Sequence, residues 1–246
     1  MSENKLRKTL NKPPIPATGT KTHTPAVLTD SKGKWLLKTL AHKSESTAKW
    51  WYKSGDTCKD GYKWLKSNFK SKVKKLGDIW LYVWLGTCDL TTKNKKYIAL
   101  THEDDRAIEY AVDYLGKIKD LIREHPKCRV TFLEIPVYSI QEWNEKAGHK
   151  SPKDFEDQDT KLEQQVYKLN AKIRELNKDT NVFSPLFGTD LVKTSKTVKN
   201  KKTRKSLIRK TNNFKLYKDG IHPSPLLAQV WLRKITDHAN KDCWKK

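Results

Sequence analysis

The sequence predicts an α/β fold in which a mostly parallel, five-stranded sheet carries helices on both faces. Strand-like and helix-like patterns alternate five times along the 246 residues, and there is no internal repeat. The strongest strand pattern, residues 78–85, is apolar towards both faces, which is typical of a central parallel strand. Because this length is enough to bury one large core, we expect residues 25–240 to form a single α/β domain.

The predicted strands are short runs of apolar and aromatic residues. They cover residues 25–30, 50–53, 78–85, 129–136 and 181–185. Parallel strands joined by right-handed crossovers end at one edge of a sheet, where α/β proteins place their sites. We therefore expect the polar residues that follow these strands to lie close together.

Helices are predicted where apolar residues recur at steps of three and four. These patterns cover residues 35–40, 59–76, 103–124, 162–176 and the segment that begins at Pro225. Residues 139–158 are polar and are predicted to form a loop.

The first 24 residues are predicted to be a basic, disordered tail. They combine five lysines and arginines with a proline cluster at 13–16 and show no apolar periodicity. Contact with nucleic acid, a linker and an inert end are all consistent with this composition.

The formal net charge of +23 favours a polyanionic partner, with RNA or DNA first and an anionic membrane surface second. A soluble surface that merely repels itself is the alternative. No apolar run reaches the ~20 residues that a membrane-spanning helix needs. Without a signal peptide, we expect an intracellular protein, cytoplasmic or nuclear.

The four cysteines are spread widely along the chain, at positions 58, 88, 128 and 243. They form no Cys-x-x-Cys pair and no cluster with histidines, so no metal site and no disulfide is expected. Reduced thiols agree with the expected intracellular location.

A Gly/Pro-framed turn near the carboxyl end, residues 217–223, carries an Asp three residues before a His. This spacing allows Asp219 to bind one nitrogen of His222 and leaves the other nitrogen free to accept a proton. Such a base needs a nucleophile, and Ser31 follows the first predicted strand. We therefore predict that the fold brings Ser31 to His222.

Each of these residues also has a purely structural interpretation. Ser31 could cap the helix that follows it, because Asp and Ser are good N-caps. Asp219 could serve only in the turn, and Cys88 could be a small packing residue.

The order of these residues resembles that of the SGNH, or GDSL-type, hydrolases. Residues 29–31 (Thr-Asp-Ser) match the family's Gly-Asp-Ser block, and residues 54–56 (Ser-Gly-Asp) contain a match to its oxyanion glycine. Residues 86–89 (Gly-Thr-Cys-Asp) fall on its Gly-x-Asn-Asp block, and residues 219–223 (Asp-Gly-Ile-His-Pro) match its closing Asp-x-x-His block. The resemblance spans roughly residues 25–238.

The resemblance implies a three-layer, flavodoxin-like sandwich and a serine hydrolase that acts on a small acetyl or short acyl ester without a cofactor. It implies Ser31 as the nucleophile, His222 as the base and Asp219 as the carboxylate that orients the base. Gly55 and Cys88 occupy the positions of the family's oxyanion hole.

Two positions depart from the family pattern: Thr29 replaces a glycine, and Cys88 replaces the oxyanion asparagine. A thiol is a weak donor, and losing one oxyanion donor can lower the rate by about 10²–10³-fold. The sequence thus leaves two classes open, an active esterase and an inactive hydrolase-like scaffold that binds nucleic acid. The OSK domain of Oskar, which resembles these hydrolases and binds RNA, is a precedent for the second, as are retrotransposon proteins that pair esterase-like domains with nucleic-acid-binding segments.

A basic insert at residues 193–218 contains eleven lysines and arginines and no acid. It precedes the Asp-x-x-His block and supplies nearly half of the excess charge. We expect it to contact the phosphate backbone of RNA or DNA, although a nuclear localisation signal or a solvated loop would have the same composition. The candidate contact residues are Lys199, Lys201, Lys202, Arg204, Lys205, Arg209 and Lys210.

Overall fold

Strands and helices alternate along most of the chain in the computed structural model, which describes residues 2–40, 46–199 and 206–245. The strands are β1 (Thr20–Lys21), β2 (Thr24–Thr29), β3 (Lys49–Tyr52), β4 (Ile79–Trp84), β5 (Thr91–Asn94), β6 (Tyr97–Leu100), β7 (Arg129–Phe132), β8 (Val192–Lys199), β9 (Ser206–Asn212) and β10 (Trp244–Lys245). The helices are α1 (Glu3–Leu10), α2 (Ser31–Leu37), α3 (Cys58–Leu76), α4 (Thr87–Leu90), α5 (Arg106–Arg123), α6 (Ile140–Lys146), α7 (Glu156–Lys178) and α8 (Pro225–Cys243).

The central sheet has the strand order β3–β2–β4–β7, and each neighbouring pair is parallel. The register places Thr29 opposite both Tyr52 and Trp84, so β2, β3 and β4 end at the same level. The segments that follow these strands therefore meet at one edge of the sheet, as the sequence predicts.

Helices cover both faces of this sheet. Successive side chains of a strand point to opposite faces. A Cβ atom at Gly33 of α2 would lie 2.6 Å from Thr29, whereas a Cβ atom at Gly61 of α3 would lie 3.3 Å from its neighbour Leu28. The two helices thus lie on opposite faces, which gives the three layers of a flavodoxin-like α/β fold.

The predicted fifth strand at residues 181–185 does not form, and the described sheet ends at β7. Asparagine side chains of α7 occupy the outer edge instead. Asn177 accepts the N–H of Phe132 and donates to its carbonyl, and Asn170 does the same for Ile135. These amides satisfy backbone groups that a neighbouring strand would otherwise bind.

The amino-terminal segment is ordered against the domain and is not the disordered tail that its composition predicts. Leu6 of α1 is completely buried, and α1 packs on α8. Strand β1 pairs with β10, and the backbone of Ile15 bonds to side chains of α8. Burial of Leu6, the packing of Leu10 against the core and these hydrogen bonds outweigh the polar composition of the segment.

Residues 139–158, predicted as a loop, contain α6 and a short 3₁₀ turn at Pro152–Phe155. The Asp159 carboxylate accepts the N–H groups of Ile140 and Gln141 and so holds the start of α6. Within the described residues, no helix is long and apolar enough to cross a membrane.

Candidate active site

Ser31 and His222 are in direct contact although 191 residues separate them in the chain. The distance from Ser31 Oγ to His222 Nε2 is 2.8 Å, and His222 Nδ1 lies 2.8 Å from the Asp219 carboxylate. The structure thus brings together the three side chains that the sequence singles out. A hydroxyl, an imidazole and a carboxylate in this order can transfer a proton away from the serine.

Ser31 is held at the junction between β2 and α2. Asp30 is the N-cap of α2 and accepts the N–H of Lys32, so the cap is Asp30 and Ser31 is the first helical residue. Thr29, the last residue of β2, donates its hydroxyl to the carbonyl of Trp84. The next turn of helix approaches β2 and β3 closely because Gly33 has no side chain: a Cβ atom there would lie 2.8 Å from Tyr52.

His222 is held by a tight loop. The Asp219 carboxylate accepts the N–H groups of Ile221 and His222 as well as binding the ring. Gly220 has φ +90°, and a Cβ atom there would lie 2.8 Å from the backbone of Trp143. Only glycine fits this backbone conformation and this close approach without strain.

Asp219 stays a carboxylate in this environment. Burial raises its pKa, but hydrogen bonds from His222 and the charge of that ring more than offset the effect, so the net pKa is lower than usual. A carboxylate at this position stabilises the imidazolium that forms when His222 takes a proton.

A pocket of about 650 Å³ lies beside the Ser31–His222 pair. Its lining includes Ser31, His222, Gly55 and Cys88. Gly55 lies in the turn after β3 with φ +87°, and its N–H is not used by the described backbone hydrogen bonds. The N–H of Ser31 belongs to the first turn of α2, where N–H groups have no acceptor within the helix. Both N–H groups are therefore candidate donors to an oxyanion.

Cys88 lies in α4 and lines the pocket. Burial raises the pKa of the thiol well above its ordinary value, and the nearby Asp30 carboxylate adds to the increase. The thiol therefore keeps its proton at neutral pH and offers the pocket only a weak hydrogen-bond donor.

The neighbouring Asp89 faces away from solvent and fixes the start of α3. Both of its carboxylate oxygens accept the backbone N–H of Cys58, at 3.1 and 3.0 Å. Burial raises the pKa of Asp89 to about 6, although the bonds to Cys58 oppose this. Asp89 therefore links α4, which contains Cys88, to α3, which follows Gly55 in the chain.

Several side chains that surround Ser31 and His222 are not predicted from the sequence. Lys32 is buried, and its ammonium group contacts Asp30 and the hydroxyl of Thr87. The rings of Trp35 and Trp143 flank His222, with ring centroids 5.3 and 5.6 Å from the imidazole. No spacing rule could find these contacts, because a lysine is normally exposed and the two tryptophans come from distant elements.

Within the described residues, the basic insert forms an antiparallel ribbon of β8 and β9, followed by a short 3₁₀ turn at Phe214–Leu216. Lys201, Lys202, Arg204 and Lys205 lie outside the described residues, and the side chains of Lys199 and Arg209 are likewise not described. Lys210 is exposed. Across the described ranges, no three His, Cys, Asp or Glu side chains are grouped so that they could hold a metal ion.

Solved structures with the same fold include lipases and esterases. A GDSL-like lipase from Bacteroides thetaiotaomicron superposes with a TM-score of 0.59 and 15% identity, over 97% of this chain and 96% of that one. A lipase/acylhydrolase from Enterococcus faecalis gives 0.52 and 14%, over 90% and 98%. The acetyl xylan esterase AlAXEase gives 0.50 and 13%, over 86% and 97%. No protein-family model and no curated protein sequence matches this chain.

Proposed function

We propose that this protein is a serine hydrolase that cleaves a small acyl ester. The observation that carries the proposal is the chain of two 2.8 Å contacts from Ser31 through His222 to Asp219. The pocket beside Ser31 has room for a small ester, and proteins named as lipases and an acetyl xylan esterase share the fold.

In the proposed reaction, Ser31 Oγ attacks the ester carbonyl while His222 Nε2 takes the serine proton. Asp219 keeps the ring in place and stabilises its positive charge. Collapse of the tetrahedral intermediate releases the alcohol, which receives the proton from His222. A water molecule, activated by the same ring, then hydrolyses the acyl-serine and restores the enzyme.

The negative oxygen of the intermediate would be stabilised by the N–H groups of Ser31 and Gly55. Cys88 would contribute little, since its thiol is a weak donor. We therefore expect slow turnover, with a rate limited by a two-donor oxyanion hole.

The test combines turnover with covalent labelling. We expect the protein to hydrolyse p-nitrophenyl acetate and to react with a fluorophosphonate probe at Ser31. Ser31→Ala should abolish both signals, whereas Ser67→Ala, at an exposed position on α3, should retain them. Absence of labelling in folded wild-type protein would exclude the proposal and leave the inactive scaffold.

We also infer a second role, contact with RNA or DNA through the basic insert. The observation that favours it is the acid-free, lysine-rich composition of the β8–β9 ribbon, because two-stranded ribbons fit nucleic-acid grooves. Neutralising Lys201, Lys202, Arg204 and Lys205 together should weaken binding and reduce its salt dependence. Unchanged affinity would remove the insert from the proposal.

A further inference from the structure

We propose that the ester substrate carries a negative charge, a carboxylate or a phosphate, which binds lysines at the rim of the Ser31 pocket. This inference rests on the proposed hydrolase function and names the substrate class. A neutral acetyl ester would be cleaved by the same residues but would leave these lysines unused.

The wall of the pocket is positively charged. Lys34 of α2 and Lys93 of β5 both line it, and both are exposed. Among the described residues that line this pocket, there is no aspartate or glutamate. An anion that enters the pocket would therefore meet two ammonium groups and no opposing carboxylate.

Two further lysines, Lys38 and Lys218, contact Trp35, which flanks His222, and so extend the positively charged rim. The ammonium groups of Lys38 and Lys218 lie 4.5 and 4.3 Å from the centre of the Trp35 ring. Lys93 lies 5.6 Å from the centre of the Trp143 ring. Contact with an aromatic face holds a cation in place without neutralising it.

The four rim lysines (Lys34, Lys38, Lys93 and Lys218) have no carboxylate partner among the described residues. Some lysines of the long helices α5 and α7 are paired instead: Lys117 with Asp113, and Lys168 with Asp105. Unpaired cations at a pocket rim attract anionic ligands, since each like-charged neighbour adds to the local potential.

The pocket also contains an unused hydroxyl. Thr101 lines it, and its Oγ1 atom is buried without a hydrogen-bond partner in the described structure. A buried hydroxyl without a partner is costly, so a polar substrate atom at this point would be favoured over a hydrocarbon chain. This agrees with a polar substrate.

The test uses two pairs of esters that differ in charge. One pair is p-nitrophenyl acetate and mono-p-nitrophenyl glutarate, which places a carboxylate on the acyl side. The other pair is glycerol monoacetate and its 3-phosphate, which places a phosphate on the alcohol side. For each variant, the selectivity is kcat/KM of the charged ester divided by that of the neutral one.

We expect wild-type protein to prefer the charged ester in at least one pair. The double variant K34Q/K93Q should lower that selectivity by about 10-fold or more, because two partly solvated ion pairs are lost. The matched control K66Q removes an exposed lysine of α3, which does not line the pocket, and should keep the wild-type selectivity.

Equal selectivity in wild-type and double-variant protein, with Ser31-dependent hydrolysis intact, would overturn the inference and leave the proposed function standing. An equal loss for charged and neutral esters would overturn it too, since that result indicates damage to the site as a whole. Hydrolysis that persists in Ser31→Ala would instead overturn the proposed function. Preference in one pair only identifies the side of the ester that bears the charge.

Discussion

Lys32 and Asp30, the residues on either side of Ser31 in the chain, form an ion pair, and both side chains are almost fully buried, at 3% and 1% exposure. Lys32 also donates to Thr87, beside Cys88. Ser31 therefore lies, along the chain, between the two members of a buried ion pair. Through Thr87, this pair joins the end of β2 to α4.

Lys32→Met should destabilise the protein strongly. The change leaves the Asp30 carboxylate buried without its cation, which typically costs about 3–5 kcal/mol. Urea unfolding measures the free energy directly. Lys34→Met, at an exposed position on the same helix, should change it by less than about 0.5 kcal/mol. Similar small losses in both variants would show that the ion pair is not needed.

Cys88→Asn should accelerate ester hydrolysis. An amide replaces the weak thiol donor at the position where the GDSL-type pattern has its oxyanion asparagine, so kcat should rise by about 10- to 100-fold. The measurement is steady-state kinetics with p-nitrophenyl acetate, which separates kcat from KM. Cys88→Ala removes the thiol without adding a donor and should show no increase. A similar increase in the alanine variant would mean that the thiol merely obstructs the pocket.

Asp89→Asn should remove part of the pH dependence of stability. The folded pKa of about 6 lies above the ~3.9 of an exposed aspartate, so the folded state holds the proton more tightly. The contribution of Asp89 protonation to the free energy of unfolding is fully present below about pH 4 and is lost as pH rises through 6. Between pH 5 and pH 7, wild-type protein should therefore lose about 1 kcal/mol more than the variant.

Urea unfolding at the two pH values measures this difference. Asparagine keeps an oxygen that can accept the N–H of Cys58, so the variant should still fold. Identical pH dependence in the two proteins would contradict the raised pKa of Asp89.

Two glycine substitutions should act in opposite directions. In Gly33→Ala, the new Cβ atom would lie 2.6 Å from Thr29 and 2.8 Å from Tyr52, so we expect a loss of about 1–3 kcal/mol. In Gly116→Ala, within α5, the Cβ atom meets open space, and alanine should stabilise the helix by about 0.5–1 kcal/mol. Thermal or urea unfolding of both variants checks the signs. A loss in both would argue against the open surroundings of Gly116.

The parts of the site that follow strand ends were predictable from the sequence. The alternation of apolar runs places Ser31, Gly55 and Cys88 after neighbouring parallel strands, and the three lie around one pocket. The spacing of Asp219 and His222 also fits the observed contact of 2.8 Å. The first prediction rests on the rule that parallel strands end at one edge of a sheet, and the second on local turn geometry.

The parts that were not predictable depend on long-range packing. Leu6 and Leu10 are the two apolar residues of the otherwise polar α1, and a single four-residue step is too short a pattern to reveal that α1 packs against α8. Lys32 is buried only because Asp30 and Thr87 surround it in three dimensions. The strand pattern at residues 181–185 has suitable residues, but Asn181 has a φ of +51° and Asn177 of α7 already occupies the edge of β7.

The paired asparagine contacts have a consequence for how large the sheet can grow. Asn170 and Asn177 each offer one donor and one acceptor, the same pair of groups that an added strand would present. An aspartate would place a negative oxygen against the carbonyl of Ile135 or Phe132 and repel it. The primary amides thereby make α7 the boundary on this side, because they occupy backbone groups of Phe132 and Ile135 that extended segments from other molecules could otherwise bind.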